Sequence, residues 1–270
     1  MSRELTVARQ MISADLLRLR KKRGFMALVL AVVMAPLVIW TGYHVIEHAS
    51  NPAAYGPAGG INHFVKMLSL LGIFMGPVAA VLIGAEAGAG DLAAGVFRDN
   101  VLTGRSRMAL FLSRIPAALA VTFGVIALGF AFGLAVTFGF AGGIATPSLS
   151  LILESAAWLA LANGVVCVIA IGLTSLTGSR PGTITALIGW ELILSPMLVQ
   201  STSLGSARTG LLDGVLLFLK PGPLDGAPTI TMAVAVAIAV AVLWAAVLPA
   251  LGAWRMQTRD ARAPEVTLRA

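Results

Sequence analysis

IPAALAVTFGVIALGFAFGLAVTFGFAGGIATPSLSLIL (Ile115–Leu153) runs for 39 residues without an ionised side chain. An α-helix crosses a bilayer with about 20 apolar residues, so this run holds two crossings. Gly142, Gly143 and Pro147 supply the turn between them. Three more uncharged runs cover Gly24–Ile46, Met67–Ala85 and Ile230–Trp254. Backbone polar groups in lipid must be satisfied within their own segment, which leaves helices or a closed barrel. Barrel strands alternate in hydrophobicity, and these runs do not. The pattern predicts an all-α integral membrane protein with six spans, roughly 25–43, 67–85, 115–138, 151–176, 183–199 and 230–254.

Composition agrees. The 270 residues are 58% hydrophobic and only 11% charged, with mean hydropathy +0.91, whereas soluble domains carry about 25% charged residues. The first span is too long, and too bare of a small-residue cleavage site, for a signal peptide, and is expected to stay in the protein. The single Cys167 falls in the fourth span, which rules out an intrachain disulfide and predicts an inert packed thiol.

A net charge of +7 would suggest nucleic acid in a soluble chain. Here sixteen of the 19 Lys and Arg residues fall on one set of alternate loops, and only Lys66, Arg208 and Lys220 on the other. That asymmetry predicts both termini and the 86–114 segment in the cytoplasm, and it accounts for the basicity without nucleic acid.

Before the first span, Leu5, Ala8, Ile12, Leu16 and Leu19 recur at helical spacing and end in RLRKKR. Residues 1–24 therefore read as an amphipathic helix lying in the interface, its cations at the headgroups. Its expected role is an anchor, and the same pattern suits a lever touching a cytoplasmic partner. The outer loop 44–66 reads as irregular. The outer region 200–229 contains LLDGVLLFL (Leu211–Leu219), apolar but too short to span, and so re-entrant or interfacial. GIFMG (Gly72–Gly76) and GFAFG (Gly129–Gly133) permit close helix contacts. Glu154 is expected to reach the headgroup zone, and Pro196 and Pro249 to kink their helices.

Seven ionised side chains lie within Glu86–Arg114, between two apolar runs. The segment opens at Glu86, continues through a Gly/Ala-rich turn, and passes TGRSR (Thr103–Arg107) into a short helix ahead of Pro116. That helix reads as apolar toward the membrane, through Met108, Leu112 and Ile115, and basic toward the cytoplasm, through Arg107 and Arg114. Glu86, then Gly95-Val96-Phe97-Arg98 with Asp99, then Gly104-Arg105-Ser106-Arg107 and Arg114, resembles the membrane subunits of ATP-binding-cassette exporters of the ABC-2 type. The family pattern has Thr-Leu where this chain has Val96-Phe97, and more often Lys where it has Arg114. The layout is similar along the whole chain: N-terminal amphipathic helix, six spans, re-entrant piece before the last.

The resemblance implies that 86–114 carries a coupling helix seated in a cleft of a separate ATPase subunit, with Glu86, Arg98, Asp99, Gly104, Arg105, Ser106, Arg107 and Arg114 at the contact. It implies two ATPase copies holding ATP and Mg, a second permease subunit, surrounding membrane lipids, and no catalytic residue in this chain. It also implies a bacterial cytoplasmic membrane and outward transport of a hydrophobic or amphipathic substrate such as a drug, lipid or peptide. The chain has no G-x-x-x-x-G-K-[ST] phosphate loop: Lys66 precedes Met67 and Lys220 precedes Pro221. Any ATP hydrolysis would then belong to another chain.

Two constellations leave alternatives open. Glu191 lies mid-span, where an acid marks a functional site by default. It is expected either to line a central cavity or to stay protonated and bond Asn163, and it would serve a secondary transporter or channel without an ATPase. His44-Val45-Ile46-Glu47-His48 fits H-x-x-E-H, with His63 following, which would suit a membrane-anchored zinc hydrolase. The bland reading of the same residues is a polar cap on the first span.

Overall fold

The computed structural model of the protein describes residues 2–93, 106–222 and 230–258, and among them every regular element is a helix. In chain order these are α1 (Ser2–Lys21), α2 (Arg23–Ser50), α3 (Gly60–Ser69), α4 (Met75–Ala93), α5 (Arg107–Gly139), α6 (Leu149–Thr177), α7 (Arg180–Gly189), α8 (Ser195–Gln200), α9 (Leu212–Leu219) and α10 (Val234–Thr258). A π-turn at Leu70–Phe74 joins α3 to α4, and another at Trp190–Leu194 joins α7 to α8. Thr202–Gly210 is a 3-10 segment ahead of α9.

Six stretches are long and apolar enough to cross a membrane: Arg23–Ser50, Gly60–Ala89, Arg107–Gly139, Leu149–Thr177, Arg180–Gln200 and Val234–Thr258. The six expected spans are all present, and the chain has the architecture of a multi-pass membrane protein. The first five overrun the expected limits, and the sixth is shifted to Val234–Thr258. With 33 residues, α5 is about 50 Å long at about 1.5 Å per residue, against a hydrocarbon core of about 30 Å. Because α2 continues to Ser50 and α3 begins at Gly60, the irregular part of the 44–66 loop shrinks to 51–59. The α5–α6 turn falls where expected, with Gly142 at φ +54° and Gly143 at φ +89°, a region other residues rarely enter.

The centre of the bundle is α6, packed between α4 and α10. The backbones nearly touch: a Cβ added at Gly88 of α4 would lie 2.8 Å from Ile171 O, and one at Gly172 would lie 2.5 Å from Leu248 C and Pro249 N of α10. Small residues replace apolar burial as the packing device, as expected where lipid is as apolar as the core. The two small-residue motifs also pack within the chain: Gly72 sits under the Trp158 ring, and Gly133 against Met67. Cys167 is free and buried. Glu154 is exposed near the start of α6. Pro249 lies inside α10, and Pro196 lies within the continuous span Arg180–Gln200, directly after the π-turn Trp190–Leu194. The face of α10 that carries Ile238, Val242 and Leu243 is exposed.

The first π-turn has a structural partner. The amide of Met75 reaches back five residues to Leu70 O, and Asn163 Nδ2 donates to the adjacent Leu71 O at 3.4 Å. A Cβ at Gly76 would collide with both Leu71 O and Asn163 Oδ1. Gly76→Ala is therefore expected to destabilise the protein by about 1–3 kcal/mol, the range of overpacked sites. Gly124, with nothing within 4 Å of its Cβ position, is the control, and Gly124→Ala should hold or raise the thermal midpoint measured in detergent.

Candidate functional site

The polar residues concentrate at the end of the bundle where α1 meets α2, α4 and α6 end, and α5 and α7 begin. Its organising group is Glu86. The sequence reading placed Glu86 just after the second span, but α4 runs on to Ala93, so this carboxylate lies about two turns inside the helix and is 2% exposed. Lys22, between α1 and α2, donates to Glu86 Oε1. From the first turn of α7, an Arg180 guanidinium nitrogen lies 2.5 Å from Oε2, an ion pair in distance without a hydrogen bond's alignment. The Arg180 guanidinium carbon also sits 5.5 Å from the centre of the Phe25 ring on α2. One carboxylate thus joins three separate helices to α4.

A second set of bonds ties α5 into the same end. Ser106 caps α5, its side chain accepting from Ala109 N at 3.1 Å. Arg114 was expected on a cytoplasmic face; it turns inward instead, 1% exposed, and donates to Gly88 O of α4 at 3.1 Å. Ser175 of α6 donates to the same carbonyl at 3.4 Å. Ser113 Oγ donates to Asp15 Oδ2 of α1 at 2.7 Å, and Leu19 buries in the core beside it. Burial pulls the Arg18 guanidinium below its ordinary value; Asp15 and Glu86 oppose this and Arg114 adds to it. Arg107 reaches Gln257 O at the end of α10, 3.2 Å away.

The 86–114 segment is therefore helical at both flanks. The short Met108–Ile115 helix expected ahead of the third span is continuous with it, and Pro116 lies inside α5 rather than at its start. The expected contact residues divide accordingly. Glu86 and Arg114 are buried joints of the bundle, while Ser106 and Arg107 stand at the exposed beginning of α5. Arg98, Asp99, Gly104 and Arg105 lie outside the described residues.

Glu191 and Asn163 are not brought together. Asn163 is occupied with Leu71 O and, at 2.9 Å, Leu159 O. Glu191, 5% exposed in the second π-turn, faces the carboxyl of Asp213 on α9 instead. This turn has the same signature as the first, Ser195 N reaching back five residues to Trp190 O. α9 is short as expected, and it is pinned to α6 by Trp158 Nε1 donating to Leu216 O at 2.8 Å.

Of the histidines at the opposite end, His44 and His63 both pack on Trp40, while His48 is turned away to Tyr55. His44 Nδ1 lies 3.2 Å from Glu47 Oε2, His48 Nδ1 lies 2.7 Å from Tyr55 O, and His63 is buried and stacked on Trp40 at 4.7 Å between ring centres. Among the described residues no three His, Cys, Asp or Glu side chains are grouped to hold a metal ion.

Sequence reasoning missed Lys22, Arg180, Asp15 and Asp213 as partners. Asp213 alone carried a visible signal, as the one ionised residue in LLDGVLLFL. No family model matches the chain, and no curated protein matches it.

Removing the Glu86 charge should leave Lys22 and Arg180 facing each other. Both cations keep water on one side, with side chains 43% and 41% exposed, so the loss falls short of a fully buried pair. Glu86→Gln is expected to cost about 2 kcal/mol, and Lys22→Gln less, read as thermal midpoints in detergent.

Proposed function

We propose that this chain is the membrane subunit of an ATP-driven exporter of the ABC-2 type, working with a second permease subunit and two copies of a separate ATPase. The observation that carries the reading is the clamped base of the 86–114 segment. Its two flanks are tied through Glu86, Gly88, Ser113 and Arg114 to α1, α4, α5, α6 and α7. A force applied between those flanks would move these helices as a body instead of bending one loop. Packed elements respond to such pushes by rigid shifts between discrete arrangements.

On this reading the ATPase, holding ATP and Mg, grips the segment around Arg98, Asp99, Gly104 and Arg105, with Ser106 and Arg107 at its rim. Charge pairing there fixes register more than affinity. Closure of the two ATPases would switch access of a pathway between the two membrane subunits. The apolar, small-residue bundle suits a hydrophobic or amphipathic substrate. The sixteen-to-three split of Lys and Arg supports both termini inside, in the bacterial cytoplasmic membrane that the family resemblance implies.

The test is co-purification from the native membrane, wild type beside an Arg98→Glu/Arg105→Glu variant. The expected result is a stoichiometric P-loop ATPase with the wild type, lost in the variant while the thermal midpoint of the membrane subunit is kept. A chain that purifies alone, with no ATPase encoded beside its gene, would overturn the reading.

A further inference from the structure

The basic end of the bundle holds more positive charge than Glu86 neutralises. Lys22 and Arg180 both pair with that one carboxylate, which leaves one positive charge over. Lys21 and Arg23, exposed on either side of Lys22, add two more. Asp15, on α1 at the same end, is held by Ser113. The excess favours an anion here, and a groove beside Arg180 gives it a place.

Arg180, Pro181, Ile184 and Thr185 of α7 line a groove of about 360 Å³, within the range of about 300–1,000 Å³ for small-molecule sites. Its lining is mostly apolar, and its one cation is Arg180. That side chain is 41% exposed, and it approaches Glu86 Oε2 without an aligned hydrogen bond. Among the described residues no hydrogen bond takes up its guanidinium N–H groups. The Phe25 ring, 5.5 Å from the guanidinium carbon, fixes its place. A planar fork of donors is thus held, half in water, at the rim of an apolar groove. Such a fork matches a phosphate with two parallel bonds. The start of the helix is not what recognises the anion. Pro181 has no N–H, Gly182 N donates to Ser179 Oγ at 3.2 Å, and Thr183 N donates to Ser179 O at 3.1 Å.

Arg180 is the first residue of the span Arg180–Gln200, and Ile184 lies one turn, about 6 Å, further in. Ile188, a turn beyond and partly buried, continues the track. Charge at the rim with apolar surface below it is the order of a phospholipid, from phosphate to acyl chain. A zwitterionic headgroup brings its own cation, so the surplus charge at this end selects a net anion. We infer that the groove binds one anionic phospholipid, its phosphate on Arg180 and its glycerol and upper acyl carbons on Pro181, Ile184 and Thr185. Juxtamembrane cations attract anionic lipid diffusely; the groove turns that attraction into a site. The lipid would rest on the same arginine that ties α7 to α4. The site belongs to this chain alone, so its test stands apart from the co-purification above.

The experiment uses the full-length protein in detergent and adds dioleoylphosphatidylglycerol, dioleoylphosphatidylcholine or inorganic phosphate. Native mass spectrometry reads the adducts, beside the thermal midpoint. The wild type should retain one phosphatidylglycerol per chain, with a raised midpoint. Phosphatidylcholine and inorganic phosphate at the same concentration should do neither. Thr185→Glu puts an acid into the groove and leaves the Arg180–Glu86 pair in place, and it should weaken phosphatidylglycerol binding about tenfold. Ala186→Glu makes the same charge change on an exposed residue outside the groove lining, and it should lose far less. If Thr185→Glu does not fold, Ile184→Trp, which fills the groove at constant charge, should show the loss instead. The proposal is overturned by equal retention of the two lipids, or by unchanged binding in the folded groove variants. It is also overturned by equal loss in both Glu variants, which would leave diffuse attraction alone. An equal midpoint rise with inorganic phosphate would overturn it too, making the groove a free-phosphate site.

Discussion

A carboxylate removed from water must be given positive charge, and in this protein that requirement falls on Glu86. No residue within α4 meets it. The cations come from Lys22 at the α1–α2 junction and Arg180 at the start of α7, residues 64 and 94 positions away in the chain. The fold at the basic end follows from bringing them together. With Lys22 held, α1 lies along α5, where Asp15 meets Ser113. With α4 fixed, Gly88 O is presented to Arg114 and Ser175. The end that carries most of the charge is thereby also the end where the helices are most firmly cross-linked.

The bundle interior treats polarity differently. Two of its spans carry a π-turn: Asn163 packs on the first and donates to Leu71 O, whereas in the second Glu191 alone is buried and Ile193 and Leu194 are exposed. Irregular backbone survives at membrane depth only where protein or a cavity satisfies it. On the first turn Asn163 offsets the cost of the bulge by taking up Leu71 O, and in the second the turn carries the one buried acid of its span, Glu191. The close crossings at Gly88, Gly172 and Gly76 serve the same end by letting side chains reach backbone carbonyls across helices.

These two regions suggest a division of labour along the bundle. At the basic end, ion pairs and hydrogen bonds through Glu86, Ser113 and Arg114 join separate helices. The opposite end holds its short helix through a tryptophan, Trp158, whose ring rests on Gly72 and whose N–H donates to Leu216 O. That tryptophan connects the first π-turn to α9, so the turn and the short helix share one packing contact.

The six crossings, the turn at Gly142–Gly143, the shortness of α9 and the asymmetry of charge were all legible in the sequence. They depend on hydropathy, length and glycine chemistry, which are local properties. The helix ends were less so, because α4 and α5 extend past the apolar runs into charged residues, Glu86 and Arg107–Arg114, that read as loop until their partners are known. Sequence gave no sign that Arg114 turns inward, that Asn163 serves Leu71 instead of Glu191, or that Glu191 meets Asp213. Each of those choices pairs residues from different helices, and the rotation of one helix against another is set by the whole packed bundle. The sequence by itself determined that the chain carries six stretches long and apolar enough to cross a membrane and where its charges fall between them. Only the tertiary structure decided which buried charges and carbonyls meet, since a polar group out of water takes the partner that packing brings within reach.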